Sequence, residues 1–297
     1  MFKSGFIGII GRPNVGKSTL LNMIIGEEIA IATHKPQTTR NRIMGIKNRE
    51  DGQLIFLDTP GIHKPASLLN RHMVDAALNA FGDSELLLMV VEANAGRRDD
   101  DQLVLHSLRD VKIPVILVVN KIDLVEKTTL LPLFDRFRTL FPFAAIIPLS
   151  ALSGAGINIL LDEVWKLLPE GPQYFPEDMM TDRTERFIAA EIIREKAILL
   201  TRQEIPYAMA VVVDSFKEIE RSNLLRIHVS LIVEKDSQKG ILIGRKGTML
   251  KRIGTEARLS LEKFFALRVY LELFVKVRKD WTNDARALKE FGYGKKS

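Results

Sequence analysis

Residues 11–18, with the sequence GRPNVGKS, are the segment whose residue types and spacing most clearly predict chemistry. They fit the pattern G-x-x-x-x-G-K-[ST], directly after an apolar strand-like run and before a helical one. The backbone N–H groups of such a loop and the N-terminus of the next helix bind nucleotide phosphates. The pattern predicts that Lys17 contacts the β and γ phosphates and that the Ser18 hydroxyl binds Mg²⁺. The other residues predicted to surround the nucleotide here are Gly11, Asn14, Val15, Gly16 and Thr19.

The sequence LDTPG, residues 57–61, follows another apolar run and predicts the rest of the phosphate site. Asp58 is expected to hold Mg²⁺ through water, and the Gly61 N–H is expected to bond a γ-phosphate oxygen. Between the two motifs, PQTTRNR supplies Thr38 and Thr39, and Thr39 is the preferred residue to close over Mg²⁺. The alternatives are structural: LDTPG as a strand that ends in an ordinary turn, and both threonines as turn caps.

The sequence NKID, residues 120–123, predicts which base the nucleotide carries. The Asp123 carboxylate can accept hydrogen bonds from guanine N1–H and N2–H₂ together, whereas adenine would leave this carboxylate unpaired. Asn120 is expected to bind the Hoogsteen edge of the base and to connect neighbouring loops. The stem of Lys121 is expected to lie along the ring. These residues predict GTP or GDP as the ligand rather than ATP.

A second base-contacting motif is SAL, residues 150–152, at the end of the last apolar run of the first half. The backbone N–H of Ala151 is expected to donate to guanine O6. Ser150 and Leu152 flank it and complete the predicted guanine site.

A different glycine loop occurs in ILIGRKGTML, residues 241–250. Gly244 and Gly247 bracket Arg245 and Lys246 in the pattern G-x-x-G, which lacks the spacing and the K-[ST] ending of a nucleotide loop. Between two helices, such a loop binds the sugar–phosphate backbone of about four nucleotides of single-stranded RNA. The structural alternative is a plain helix–turn–helix corner with exposed cations.

Charge is distributed unevenly between the two halves of the chain. The net charge is +6, and residues 1–170 contain equal numbers of basic and acidic side chains. The whole excess therefore lies in residues 171–297, and residues 239–279 contain eleven basic side chains against three acidic ones. This excess indicates a polyanionic partner, with a solvated protein face as the alternative.

Composition excludes several other classes of site. The chain has no cysteine, so disulfides, iron–sulfur clusters and cysteine-ligated zinc are excluded. Its histidines lie without metal-ligand spacing at His34, His63, His72, His106 and His228. The longest apolar runs fall far short of the ~18 residues that a membrane span needs, and the N-terminus lacks the layout of a signal peptide.

The motifs sit on two patterns of secondary structure. In residues 1–170, five buried strand-like runs (5–10, 54–58, 85–92, 114–120 and 144–150) alternate with helical segments, which predicts an α/β domain with a mostly parallel sheet. Residues 171–181 are rich in proline and predict a linker. Residues 182–297 are predicted to form α-β-β-α-α-β followed by a helical tail, a smaller α+β domain.

Taken together, the motifs resemble the Era family of bacterial GTPases. The resemblance rests on GRPNVGKSTLLN, KPQTTRNRI, FLDTPGIHKP, NKIDLV and SAL, paired with ILIGRKGTMLKRI, which matches the G-x-x-G loop of a KH domain. It covers nearly the whole chain and implies a P-loop GTPase domain followed by a type II KH domain. It also implies binding to the 3′ end of 16S rRNA and a role in maturation of the small (30S) ribosomal subunit. A cytoplasmic monomer with some peripheral association with the inner membrane is expected.

The resemblance also bears on catalysis. In GTPases such as Ras, a glutamine after the D-x-x-G glycine orients the attacking water; here that position is Ile62, which predicts slow intrinsic hydrolysis. Asn14 occupies the position that related GTPases use to bind K⁺, so K⁺ is a candidate cofactor beside Mg²⁺. The predicted catalytic residues are Lys17, Asn14 and Thr39.

Two other functions remain open from the sequence. The first is a signalling GTPase whose basic half docks to a protein or to anionic lipid. The second is a GTPase for which RNA is the effector rather than the cargo. The two glycines of the G-x-x-G loop favour RNA over lipid, because lipid binding has no need of them.

Overall fold

The computed structural model describes residues 1–33, 35, 38–94, 99–201 and 208–293. His34 and two residues of the predicted PQTTRNR motif (Pro36 and Gln37) lie outside the described residues. The chain divides into two compact units. The first unit comprises Met1–Ala32, Thr39–Ala66 and Asn70–Asp182, and the second comprises Thr33–Thr38, Ser67–Leu69 and Arg183–Ser297.

The first unit contains a six-stranded sheet in the order β2-β3-β1-β4-β5-β6. Its strands are β1 (Lys3–Ile10), β2 (Ile43–Arg49), β3 (Gly52–Asp58), β4 (Leu86–Glu92), β5 (Val115–Asn120) and β6 (Ala145–Pro148). All neighbouring strands are parallel except β2 and β3, which are antiparallel. Both β3 and β4 are buried along their whole length, as expected for strands covered on two faces. The prediction of an α/β domain with a mostly parallel sheet is confirmed.

Helices lie between these strands and after the last of them. They are α1 (Lys17–Ile25), α2 (Leu68–Gly82), α3 (Asp99–Ser107), α4 (Leu130–Leu140) and α5 (Ile157–Leu167). Gly16 precedes α1 with φ 95°, and Gly26 follows it with φ 89°, so left-handed glycines delimit this helix. Gly16 thereby places the N-terminus of α1 at the end of the predicted phosphate loop that follows β1.

The strand β2 was not among the predicted strands. It forms the edge of the sheet, and its burial decreases from Ile43 towards Arg49. A two-residue connection joins it to β3 in an antiparallel hairpin. Because one end of β2 is polar and partly exposed, the segment lacks the continuous apolar run that marks the central strands.

The proline-rich segment 171–181 packs against the first unit. The Ile46 N–H on β2 donates to the Met180 carbonyl (2.8 Å), and the Gln53 side chain donates to the Phe175 carbonyl (3.0 Å). Phe175 and Met179 cover the apolar cluster that contains Met44, Ile46, Ile55 and Leu57. The first compact unit accordingly extends through Asp182.

The second unit is an α+β fold with a three-stranded sheet in the order β7-β8-β9. Its elements are α6 (Glu185–Leu200), β7 (Ala210–Ile219), β8 (Leu224–Val233), α7 (Asp236–Ile243), α8 (Thr248–Phe265), β9 (Arg268–Val277) and α9 (Ala285–Glu290). β7 and β8 are antiparallel, whereas β8 and β9 are parallel. This arrangement confirms the predicted α-β-β-α-α-β order with its helical tail.

The core of the second unit lies between its sheet and its helices. Ile193 of α6, Ile227 of β8 and Ile253 of α8 are fully buried in it. Trp281 is fully buried after β9, and its indole N–H donates to the Ala208 carbonyl (3.1 Å).

None of the helices formed by the described residues is long and apolar enough to cross a membrane.

Candidate nucleotide site and nucleic-acid interface

Three parallel strands of the first unit, β1, β3 and β5, end at the same edge of the sheet. β1 leads into residues 11–16, β3 ends at Asp58, and β5 ends at Asn120. Ligands of open parallel sheets bind at this edge, outside the carboxyl ends of the strands. The structure therefore brings together the motifs GRPNVGKS, LDTPG and NKID, which lie far apart in the sequence.

The phosphate loop, residues 11–18, has a backbone that side chains would obstruct. Gly11 has φ 151° and Gly16 has φ 95°, both in the region that favours glycine. A Cβ on Gly11 would lie 2.5 Å from the Val90 carbonyl oxygen, and a Cβ on Gly16 would collide with the Asn120 side-chain amide. Both glycines of the motif are therefore required for the close packing of this loop as well as for its turn.

Lys17, the first residue of α1, is buried within the phosphate loop. Its ammonium group donates to the carbonyls of Arg12 (2.9 Å) and Gly11 (3.3 Å). Burial lowers the pKa of Lys17 to about 8, against the attraction of Asp58 and together with the repulsion of Arg12. The ammonium thus lies beside the loop whose N–H groups are predicted to bind phosphate, where an anionic ligand would favour its charged form.

Three predicted Mg²⁺ ligands lie close together beside the phosphate loop. The Ser18 hydroxyl lies 2.6 Å from Asp58 Oδ2 and 2.7 Å from the Thr39 hydroxyl, and Thr39 lies 3.4 Å from Asp58 Oδ2. Burial raises the pKa of the Asp58 carboxyl to about 6, although Lys17 and the hydroxyl donors favour the charged form. Asp58 Oδ1 is buried without a hydrogen-bond partner among the described residues. Oxygen donors with one unpartnered carboxylate oxygen fit a small hard cation such as Mg²⁺.

The two neighbouring threonines have different surroundings. Thr39 belongs to this cluster of oxygens, whereas the Thr38 hydroxyl donates to the Lys35 carbonyl (2.6 Å) and contacts the Thr33 hydroxyl (2.8 Å). Thr38 therefore stabilises its own turn. The geometry favours Thr39 as the candidate metal ligand.

Gly61 lies against the phosphate loop. A Cβ on Gly61 would lie 2.5 Å from the backbone nitrogen of Pro13, and the next residue, Ile62, donates its N–H to the Gly11 carbonyl (3.0 Å). Ile62 is buried, so it contributes an apolar side chain where Ras-like enzymes have a glutamine. The backbone of LDTPG is thus held next to the predicted phosphate position.

The predicted guanine-binding residues gather around Asn120. Its side chain donates to the Val15 carbonyl (2.8 Å) and accepts from the backbone N–H groups of Lys121 (2.7 Å) and Ala151 (2.9 Å). Asn120 therefore joins the phosphate loop, NKID and SAL. The Ala151 N–H, expected to donate to guanine O6, donates to Asn120 in this structure.

The remaining base-site residues differ in exposure. Asp123 is exposed on a 3₁₀ turn, Ile122–Leu124, where solvent surrounds its carboxylate and a base can approach it. Ser150 is buried and accepts from the Ser153 N–H (3.3 Å), whereas Leu152 is 77% exposed. Ser150 thus shapes its loop, and Leu152 is free to cover a ligand.

A buried cluster of charged side chains beside this site belongs to none of the predicted motifs. Glu92, at the end of β4, forms ion pairs with Arg12 and Lys121, and Arg12 Nε also lies 3.3 Å from Asp101 Oδ1. Burial raises the pKa of the Glu92 carboxyl, but hydrogen bonds from Lys121 and Arg12 outweigh it, so the pKa lies below its ordinary value. The signal in the sequence is a charged residue at the end of the apolar run LLLMVVE.

In the second unit, residues 244–247 connect α7 to α8. Gly244 ends α7 with φ 72° and ψ 175°, and Gly247 precedes α8 with φ 79° and ψ 6°. Arg245 and Lys246 between them are exposed, and Lys246 also has a positive φ of 53°. The loop presents two cations and a closely approachable backbone to solvent, which suits a nucleic-acid phosphate chain.

The apolar residues around this loop have separate roles. Leu242 and Ile253 are fully buried in the core of the second unit, and Leu250 is partly buried against it. Ile241 is 49% exposed, and Ile243 is partly exposed. The buried pair fixes the two helices, while the exposed pair borders the loop and can contact bases.

Two family profiles match the chain. One, described as 50S ribosome-binding GTPase, matches residues 6–121, and the other, described as KH domain, matches residues 204–282. GTPase Era of Syntrophus aciditrophicus is 64% identical over 293 residues, which cover 99% of this chain and 96% of that protein. GTPase Era of Geobacter metallireducens is 54% identical, with 98% of both chains covered.

Two solved structures resemble the whole chain. A variant of Aquifex aeolicus Era bound to GDP·AlF₄⁻ has a TM-score of 0.95 and 42% identity, covering 99% of this chain and 100% of that one. Era in complex with MgGDPNP and nucleotides 1506–1542 of 16S ribosomal RNA has a TM-score of 0.96, 42% identity and the same coverage. The chain therefore belongs to the Era family of GTPases, with a GTPase domain followed by a KH domain.

Proposed function

We propose that this protein is a GTP-hydrolysing switch that binds single-stranded RNA, with the 3′ end of 16S rRNA as its target in assembly of the 30S subunit. The observation that carries the nucleotide half is the convergence of Ser18, Thr39 and Asp58 below the phosphate loop. The RNA half is supported by the exposed G-x-x-G loop and by a relative of 42% identity that was solved with nucleotides 1506–1542 of 16S ribosomal RNA.

Mg²⁺ would be held by the Ser18 and Thr39 hydroxyls and, through water, by Asp58. When bound, the ion would offset negative charge on the β and γ phosphates. Lys17 would contact those phosphates, because its ammonium group already lies against the carbonyls of the phosphate loop. The Gly61 N–H would bond a γ-phosphate oxygen, so that LDTPG senses whether this phosphate is present.

Guanine would be recognised chiefly by Asp123. Its exposed carboxylate can accept from N1–H and N2–H₂ together, while Asn120 fixes the loops and Lys121 lies along the ring. Ala151 would donate its N–H to guanine O6 after exchanging its present bond to Asn120. Ser150 would support the loop from its buried side, and the exposed Leu152 would cover the bound guanine.

Hydrolysis would be slow, since buried Ile62 cannot orient the attacking water. K⁺ bound beside Asn14 would offset transition-state charge between the β and γ phosphates. Asn14 has φ 67° in the phosphate loop, a conformation that is rare for residues other than glycine and that often marks a functional position. Single-turnover hydrolysis should be faster in K⁺ than in Na⁺ at equal ionic strength, and Asn14→Ala should abolish the difference. Equal rates in both ions would exclude this role.

RNA would bind across the G-x-x-G loop. Gly244 and Gly247 would let the phosphate chain approach the backbone, and Arg245 and Lys246 would add attraction. We also propose that the protein acts in the cytoplasm as a monomer with peripheral contact to the inner membrane. The membrane contact is supported by the basic excess of residues 171–297, which would attract an anionic lipid surface.

A direct comparison of ligands tests this function. Filter binding would measure the affinity for a single-stranded RNA with the sequence of the 16S 3′ end, and sedimentation would measure binding to anionic vesicles. We expect tight RNA binding and weaker vesicle binding. Preferential binding to vesicles would instead favour a signalling GTPase docked to the membrane. Crosslinking in cells, followed by sequencing of the bound RNA, would identify the target.

A further inference from the structure

Glu92 binds two different loops of the nucleotide site through its two carboxylate oxygens. Oε2 accepts from the guanidinium of Arg12 in the phosphate loop, and Oε1 accepts from the ammonium of Lys121 in NKID. The Glu92 side chain is only 9% exposed, so little solvent screens either contact.

The position of Glu92 follows from the order of the strands. β4 lies between β1, which leads into the phosphate loop, and β5, which leads into NKID. Glu92 is the last residue of β4 and pairs in register with Asn120, the last residue of β5. A side chain at this strand end can therefore reach both loops at once.

Both cations also contact residues that are predicted to bind the nucleotide. The Arg12 carbonyl accepts from the Lys17 ammonium (2.9 Å), and the Lys121 ammonium donates to the Asn14 carbonyl (2.9 Å). Lys121 has φ 64°, a left-handed conformation that costs a lysine free energy, whereas Asn14, with φ 67°, is of a residue type that adopts this conformation more readily. The structure thus holds a strained Lys121 against Asn14 and next to the carboxylate of Glu92.

We propose that Glu92 is a positioning residue that couples the phosphate loop to the base-recognition loop, so that both halves of a guanine nucleotide meet a preformed site. The inference rests on the proposed role of this site in binding GTP and GDP. Glu92 itself contacts neither the phosphates nor the base in this scheme. It acts by holding Arg12 and Lys121, and its loss should weaken binding without slowing the chemical step.

The test compares three variants. Glu92→Gln removes the charge that both cations share, and we expect the dissociation constant for GDP to rise at least about tenfold. Glu92→Asp keeps the charge, so it should fold like wild type. Its side chain is too short to reach both loops, so it should still weaken GDP binding. Asp101→Asn is the matched control, because it removes another buried carboxylate from Arg12 but leaves the Arg12–Glu92–Lys121 connection intact.

Kinetics separate positioning from general loss of structure. For Glu92→Asp, we expect KM for GTP to rise while kcat at saturating GTP stays at the wild-type value, with an unchanged thermal midpoint. Wild-type GDP affinity in both Glu92 variants would overturn the inference, as would an equal loss of affinity in Asp101→Asn. If wild-type protein failed to bind GDP, the proposed function itself would be wrong, so the two failures are distinguishable.

Discussion

The phosphate loop and the G-x-x-G loop both rely on glycines with positive φ, yet their surroundings are opposite. In the phosphate loop, Lys17 and Ser18 are buried and bonded to neighbouring oxygens. In the G-x-x-G loop, the side chains of Arg245 and Lys246 are exposed to solvent.

This difference separates two kinds of recognition. Buried, converging groups act at low dielectric and in one geometry, so they discriminate strongly between ligands. Exposed cations act through charge that solvent and salt screen, so they give affinity that depends on ionic strength. We therefore expect mutations in the loops of the nucleotide site to change selectivity between nucleotides. Mutations in the G-x-x-G loop should instead change the salt dependence of RNA binding.

The largest effect should come from the base-recognition loop. Asp123→Asn replaces a double acceptor by a group that must turn a donor towards guanine. Xanthine carries oxygen where guanine has N2–H₂, so the preference should switch from GTP to XTP by about 10⁴-fold. Competition binding with GDP and XDP would measure the switch. Asp162→Asn, an exposed carboxylate on α5, is the control, and unchanged GDP binding by the Asp123 variant would refute the assignment.

Charge reversal in the G-x-x-G loop should have the next largest effect. Arg245→Asp with Lys246→Asp should lower the affinity for single-stranded RNA by about 100-fold and flatten the slope of log K against log salt by about 1.4. GDP binding should not change. Binding isotherms at several salt concentrations would measure both quantities.

Lys112→Asp with Lys127→Asp removes the same number of exposed cations from the first unit and should have little effect on RNA. If the double variant at 245 and 246 remained folded by circular dichroism and bound RNA normally, the loop would be a structural corner. The polyanion site would then have to lie among residues 251–279.

The two glycines of this loop should differ in their tolerance of alanine. Gly244 has φ 72° and ψ 175°, and a Cβ there would lie 2.7 Å from the Met249 Cβ, whereas a Cβ on Gly247 would meet nothing within 4 Å. Gly244→Ala should therefore destabilise the second unit by about 3 kcal/mol and Gly247→Ala by about 1 kcal/mol. Chemical denaturation of the two variants would measure this difference, and equal losses would contradict the loop geometry.

The effect of pH on the metal site should also be small. The pKa of Asp58 is raised to about 6, so the carboxyl becomes protonated and loses its affinity for a cation as the pH falls. The Mg²⁺-dependent part of GDP binding should weaken about tenfold between about pH 7 and pH 5. Titrations with and without EDTA would isolate this part, and a pH-independent Mg²⁺ contribution would exclude Asp58 as its ligand.

Stability of the ligand-free protein should change in the opposite sense. Because the folded-state pKa of Asp58 is raised above its ordinary value of 3.8, the folded state binds more protons than the unfolded chain between about pH 4 and pH 6. The contribution of this carboxyl to the free energy of unfolding therefore increases as the pH falls through that range. Denaturation of wild type and Asp58→Asn at both pH values would measure the contribution.

Sequence alone predicted where both loops lie in the fold. A phosphate loop is specified by residues that are close together, and so are the helix α8 and the G-x-x-G turn before it, because their backbone conformations depend on neighbouring glycines. The fold class follows from the same kind of signal, since buried parallel strands produce continuous apolar runs.

The contacts that join distant segments were not predictable in this way. Glu92 and Arg12 are 80 positions apart and meet only because β4 lies beside β1. The edge strand β2 was missed because its exposed end has the composition of a polar loop. The bond from Ala151 to Asn120 also required the fold, since both groups were interpreted as ligands of guanine.

The segment 171–181 has a consequence for dividing the molecule. A GTPase fragment ending at residue 170 would remove Phe175 and Met179 from the apolar cluster on β2 and β3. It would also release the Ile46 N–H on the edge strand from its bond to Met180. An uncovered strand edge beside newly exposed apolar side chains is a template for intermolecular pairing. Fragments that retain residues through Asp182 should therefore remain dispersed at concentrations where shorter ones aggregate.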